Sequence, residues 1–265
     1  MKYRNYLNVI LFIFLLLLFN FPYIYSIWYP ATNKYRPVIG GIKYTPVKFY
    51  TSTEKYIPKP SCTLGYAARS LKGDLGIATA SHCFEWTYMG DSWWWEVHQP
   101  TYLSSGSNFV GEVTILHPYV DAAFSYSSAV TPKILTMLSS GTTYKSKVVY
   151  FYRISEIENG VLNNVIIKHT GYASGVSDGS FIGYMPVYML GSRMLEYVIL
   201  SNYTSQSGDS GGPVYELEVV FNRGKRFFVV NLIGIHVAKE YWTISVASHG
   251  IQMKTGLRPV LWGEI

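Results

Sequence analysis

Charge is scarce in this 265-residue chain. Only 14% of its residues are Asp, Glu, Lys or Arg, against roughly a quarter in soluble domains. Aromatic residues are abundant instead, with 24 Tyr, 13 Phe and 7 Trp. A chain this apolar can bury a core, which excludes an intrinsically disordered protein. Cysteine is scarcer still: two are too few for a disulfide-scaffold miniprotein, and the lack of a Cys-x-x-Cys pair removes the zinc ribbon. Lys and Arg exceed Asp and Glu by 22 to 16 but do not cluster, so no nucleic-acid partner is expected. Repeats and low-complexity tracts are missing too.

The first 26 residues read as an export signal. Lys2 and Arg4 give a basic start, Val9 to Phe19 is an unbroken apolar run of 11 residues, and Ser26 offers a small residue at a cleavage site. Such a run is short for a bilayer span. Phe21, Tyr23, Ile24 and Tyr25 extend it, which leaves an uncleaved membrane anchor as the alternative. Cleavage removes two of the 22 cations and no anion, for a balance of +4. The protein is expected to be extracellular, or held at the cell surface if the segment stays.

From Val38 onward, short β-branched and aromatic runs alternate with turn residues. Val148 to Tyr152, Val165 to Ile167 and Tyr197 to Leu200 are too short and too β-rich for helices. Val214 to Val220 and Phe227 to Val237 flank Asn222-Arg223-Gly224, which reads as a hairpin. The best helical candidate is Pro132 to Leu138. Many strands and almost no helix predict an all-β sandwich or barrel.

Three local patterns carry chemistry, and their order matters. They are Thr79-Ala80-Ser81-His82-Cys83, Asp121-Ala122-Ala123-Phe124 and Gly208-Asp209-Ser210-Gly211-Gly212-Pro213. A serine hydroxyl is a poor nucleophile near neutral pH. It needs a base, and the base needs an acid to fix its tautomer and stabilise its charge. Glycines around Ser210 permit a sharp turn that aims backbone N–H groups at a developing oxyanion. The same stretch fits the Gly-x-Ser-x-Gly elbow of α/β-hydrolases, but that fold places its acid and then its histidine after the serine. No Asp follows Ser210, and no alternation of strands and helices does either.

On these residues the chain resembles the chymotrypsin-like serine proteases, nearest the secreted branch of α-lytic protease and the streptogrisins. Val38 to Tyr44 looks like the start of the mature enzymes, and Cys62-Thr63-Leu64-Gly65-Tyr66 leading to the histidine motif looks like their first disulfide loop. Leu257 to Leu261 is similar to their final segment. The resemblance implies two six-stranded antiparallel β-barrels with the active site in the cleft between them. Residues 27–37 would be a short pro or linker segment, 38–131 the first barrel and 132–265 the second. Ser210 would be the nucleophile, His82 the general base and then acid, and Asp121 its orienting partner. Gly208 and Ser210 would supply the oxyanion N–H groups. Asp209 would be a structural acid, in the family usually paired with a cation. A Cys62–Cys83 bridge would close a loop of about 20 residues. No cofactor or metal is implied. The partners would be protein or peptide substrates of a monomeric enzyme.

The chain also departs from the family. Gln206 and Ser207 stand where a cysteine is usual, Ser81 replaces a smaller residue, and a large folding pro-domain does not fit between Ser26 and Val38. Arg36-Pro37 argues against tryptic release of a new terminus at Ile39. Gly234-Ile235-His236 resembles the glutamyl endopeptidases, where the histidine binds an acidic side chain, and Ser205 would line that pocket. The alternative is a strand histidine satisfied by backbone. Thr204, six residues before Ser210, argues against Arg or Lys preference. His98, His117, His169 and His249 lack metal-ligand spacing and read as structural. Of Trp93-Trp94-Trp95, strand alternation brings at least one to solvent or a partner. Asn202-Tyr203-Thr204 is a glycosylation sequon. The reading from another class is a catalytically silent domain of the same fold that acts as an extracellular binding or surface-layer protein.

Overall fold

The computed structural model of the chain describes residues 29–84, 92–137 and 140–265, so the stretch 1–26, read above as an export signal, lies outside the described residues. The first half forms β1 (Val38–Gly40), β2 (Lys43–Tyr50), β3 (Lys55–Pro58), β4 (Cys62–Thr63), β5 (Tyr66–Arg69), β6 (Leu75–Ala80), β7 (Trp93–His98), β8 (Phe109–His117) and β9 (Ala122–Tyr126). The second forms β10 (Val130–Met137), β11 (Thr143–Phe151), β12 (Ile166–Gly171), β13 (Gly175–Leu190), β14 (Arg193–Ser201), β15 (Pro213–Asn222), β16 (Lys225–Lys239), β17 (Thr243–Ala247) and β18 (Arg258–Pro259). Two short helices, α1 (Ile154–Glu158) and α2 (Ser248–Thr255), complete it.

One sheet runs β18-β5-β6-β9-β8-β7-β2-β3, with β4 also on β2. β4 and β5 are two pieces of one extended segment. Leu64 N–H donates to Ile42 O at 2.9 Å and Gly65 N–H to Ala78 O at 2.9 Å, so the sheet curls back on β2 and closes. The other sheet runs β1-β10-β11-β16-β15-β12-β13-β14-β17, and a further pairing of β16 with β17 closes β12 to β17 into a ring. The expected pair of antiparallel barrels is therefore present.

Strand alternation fills both barrels. Ile42, Tyr44, Leu64, Ile77, Trp95 and Val97 pack inside the first, and Ile167, Ile199, Tyr203, Val214 and Ile233 inside the second. A third cluster joins them: Tyr66, Val120 and Phe124 meet Leu195, Tyr215, Leu232 and Ile235. This contact is apolar and solvent-free, so it holds groups from the two barrels at fixed separation.

The hairpin between β15 and β16 forms with Asn222 opposite Lys225, and its turn residues Arg223 and Gly224 both have positive φ (49° and 73°). That turn matches the twist of the flanking strands. In the tryptophan triplet Trp95 is buried, Trp93 lies under the Lys48 ammonium (4.0 Å), and Trp94 packs on Phe49 (4.4 Å).

The helix expected at Pro132 to Leu138 does not form: residues 132–137 belong to β10, with Val130, Pro132 and Ile134 buried and Thr131 and Lys133 less so, and Leu138 lies outside the described residues. The antiparallel ladder with β11 begins at Lys133, and the parallel pairing with β1 is irregular between Val130 and Ile134, so Pro132 interrupts no regular ladder. Residues 29–37 are packed rather than loose: Ala31 is buried with the first core, and the Arg36 guanidinium donates to Gln99 Oε1 at 2.9 Å and to the carbonyls of Asn108 and Phe109 at 3.2 Å.

Candidate active site

Register brings His82 and Asp121 together. β6 and β9 pair with Ala80 opposite Ala122, so the residues just beyond those ends share one rim of the first barrel. His82 lies on a single 3₁₀ turn, Ser81–Cys83. Asp121 ends a turn in which its N–H donates to Pro118 O at 3.2 Å, and its own carbonyl accepts Ser81 N–H at 3.0 Å. Its φ of 41° is left-handed, a conformation an L-residue keeps only where its surroundings hold it.

The Asp121 carboxylate is completely buried and fully engaged. Oδ2 lies 2.6 Å from His82 Nδ1. Oδ1 accepts the His82 N–H at 2.8 Å and the Ser81 hydroxyl at 2.8 Å, with Arg193 Nη2 at 3.4 Å. Burial opposes its charge, but His82, Arg193 and Ser81 outweigh burial and hold the carboxyl below its ordinary value. It is therefore ionised at neutral pH and fixes the imidazole with Nδ1 inward and Nε2 outward.

Ser210 comes from the loop between β14 and β15. Two contacts hold it against the first barrel: Thr63 N–H donates to Ser210 O at 2.9 Å, and Cys83 Sγ, next to His82 in the chain, lies 3.8 Å from the same oxygen. Behind it, Gly211 N–H donates to His236 O and His236 N–H to Gly212 O, each at 2.8 Å. Among the described residues the Ser210 hydroxyl makes no hydrogen bond, so the His82–Asp121 contact is made and a Ser210–His82 one is not. Catalytic hydrogen bonds without substrate are often loose.

The loop before Ser210 turns sharply and is held tightly. Gly208 has φ +103°, and a Cβ there would stand 2.6 Å from the Tyr172 ring, so only glycine fits. Thr63 Oγ1 donates to Gly208 O at 2.9 Å and accepts Tyr172 N–H at 3.1 Å. Asp209 is buried, and its carboxylate accepts the N–H groups of Ala173, Ser174 and Gln206 at 2.7–3.1 Å. Backbone N–H groups thus do for Asp209 what a cation commonly does in the family, and no ion pair to it occurs among the described residues.

Cys62 and Cys83 form the expected disulfide, with an S–S distance of 2.11 Å. The bridge joins the residue before Thr63, whose N–H holds the Ser210 carbonyl, to the residue after His82.

His236 and Ser205 are both buried. Tyr203 Oη lies 2.9 Å from His236 Nδ1 and 2.8 Å from Ser245 Oγ. His169, which the sequence presents as structural, lies in the same group: its ring is 4.9 Å from Tyr203, nearly parallel to it, and 4.9 Å from His236. Burial lowers His236, and the neighbouring His169 adds to this. Burial takes His169 down to about 3, with the Asp209 backbone opposing.

Sequence reasoning missed Thr63, Arg193 and the roles of Ser81 and Tyr203. Ser81 had a signal, a hydroxyl directly before the histidine. The others touch the site from 33 to 145 positions away in the chain.

No family model and no curated protein matches the chain. Solved structures do. Protease A of Thermobifida fusca aligns over 84% of this chain and 98% of its own, with a TM-score of 0.54 at 17% identity. The Nocardiopsis protease NAPase gives 0.55 at 16% identity, with 84% and 98% covered. A third, a glutamic acid specific serine protease described as using a histidine triad in substrate binding, gives 0.53 at 18% identity, with 84% and 100% covered. The fold is chymotrypsin-like. Identities this low establish architecture, while the function rests on the site's own geometry.

Proposed function

We propose that the protein is an exported serine endopeptidase with Ser210, His82 and Asp121 as its triad. The observation that carries this is the Asp121 carboxylate, buried and bound at 2.6 Å to His82 Nδ1, on the rim that faces the Gly208–Gly212 loop. In this reading His82 Nε2 takes the Ser210 proton as the hydroxyl attacks the scissile carbonyl. It then passes that proton to the leaving amine, and a water repeats the sequence to free the acyl group. Gly208 and Ser210 N–H groups receive the oxyanion, and one such donor contributes about 3 kcal/mol in the transition state. Residues 38–131 supply the base and acid, and 132–265 supply the nucleophile. The Cys62–Cys83 bridge suits an oxidising, extracellular compartment.

The pocket reading is a preference for Glu or Asp before the scissile bond. Its support is the chain Ser245–Tyr203–His236. A Tyr203 hydroxyl that donates to Nδ1 leaves the proton of a neutral His236 on Nε2. Ser205 Oγ is buried without a protein partner, a second donor available to a carboxylate. The test compares wild type with Ser210→Ala on peptides that differ only before the scissile bond. Hydrolysis lost in the variant and faster after Glu than Leu is expected. Equal rates after Glu and Leu refute the pocket, and a folded wild type no more active than Ser210→Ala refutes the enzyme.

A further inference from the structure

The turn that carries Asp121 is gripped from the second barrel. β13 and β14 form a long hairpin with Leu190 opposite Arg193 across the turn Gly191-Ser192. It reaches the first barrel, where Glu196 N–H donates to Tyr119 O at 2.7 Å. Arg193, the first residue of β14, sets Nη2 3.4 Å from Asp121 Oδ1. That carboxylate has no solvent exposure, whereas the Arg193 side chain keeps 33% of its own.

We propose that Arg193 is a positioning residue of the triad, a cation from the second barrel that offsets part of the Asp121 charge felt by His82. This rests on the serine-protease reading. A buried carboxylate with one facing cation would draw a second proton strongly toward the imidazole. With Arg193 in place its charge is shared, and the base is freed at lower pH. The same contact couples the barrels: a hairpin that shifts relative to the first barrel removes the cation from Oδ1. Other charged groups around the pair are Glu196 on the same strand, joined to Lys254 of α2, His117 at the end of β8, and His236 with Asp209 behind the Ser210 loop. Substitution at 193 leaves each of them in place.

The experiment compares wild type with Arg193→Gln, Arg193→Met and Arg193→Lys. Two neutral variants are included in case one folds poorly, and Met keeps an unbranched apolar stem. The acid limb of kcat/KM is read against pH after titration of competent sites with a fluorophosphonate. The same groups are followed by His82 titration in ¹³C-histidine-labelled protein, which needs no turnover. In the neutral variants the midpoint of both curves should move to higher pH than in wild type, and in Arg193→Lys it should return toward wild type. Neutral variants whose curves superimpose on wild type overturn the proposal, as does a Lys variant shifted as far as Gln. Failure of the protease reading looks different: wild type then neither labels nor turns over, while the histidine titration still judges Arg193.

Discussion

His169 provides a quantitative test of the buried group behind the Ser210 loop. Its ring is wholly enclosed, which takes its ionisation from the ordinary 6.5 down to about 3. Below about 6.5 the unfolded chain binds a proton that the folded protein cannot. Stability therefore falls with pH through the window from 6.5 to about 3 and levels off below it. At 1.36 kcal/mol per unit, lowering the pH from about 7.5 to 4.0 removes about 3 kcal/mol through this residue alone. That is a large part of a total of about 5–15 kcal/mol. His169→Phe keeps the ring against Tyr203 and deletes the proton site. Urea unfolding at both pH values, in a Ser210→Ala background to prevent self-digestion, gives the two differences. The His169→Phe protein should lose about 3 kcal/mol less on acidification than its parent. Asp121 also destabilises the fold in acid, but it is present in both proteins and cancels, whereas His236, relieved of the neighbouring His169, destabilises the variant less and adds to the difference. Equal losses would refute the reasoning.

Other expectations follow from contacts around the loop. Thr63→Val strands the Gly208 carbonyl and the Tyr172 N–H, at about 1–3 kcal/mol for each unsatisfied group; steady-state kinetics should show kcat falling at least tenfold with KM little changed. Gly208→Ala meets the Tyr172 ring at 2.6 Å and keeps an unfavourable φ, so activity should vanish while far-ultraviolet circular dichroism stays native. Replacing Cys62 and Cys83 together by Ser should lower stability by about 3 kcal/mol, read by denaturant unfolding.

What the sequence revealed was local. Runs such as Val148 to Tyr152 and the Arg223-Gly224 turn signal strands because alternation and turn chemistry act over a few residues. The candidate triad was legible because each member lies in a short motif and their order separates the candidate folds. Pro132 to Leu138 misled because proline can open a helix, whereas here it sits ahead of the β11 ladder and at an irregularity in the pairing with β1. The helix at Ser248–Thr255 was missed because Ser248-His249-Gly250 resembles a turn; its end at Gly256, with φ +75°, was the available cue. Thr63 and Arg193 stayed hidden for a different reason. Their importance lies in what they touch across the cleft, and periodicity carries no information at those separations.

The central claim is that Ser210 is a nucleophile served by His82 and Asp121. The most direct measurement is to locate a fluorophosphonate adduct by mass spectrometry in wild type and in His82→Ala. The account predicts an adduct on the Ser210 peptide of wild type and little or none in the variant. A folded wild-type protein that stays unlabelled, or labels elsewhere, would contradict it.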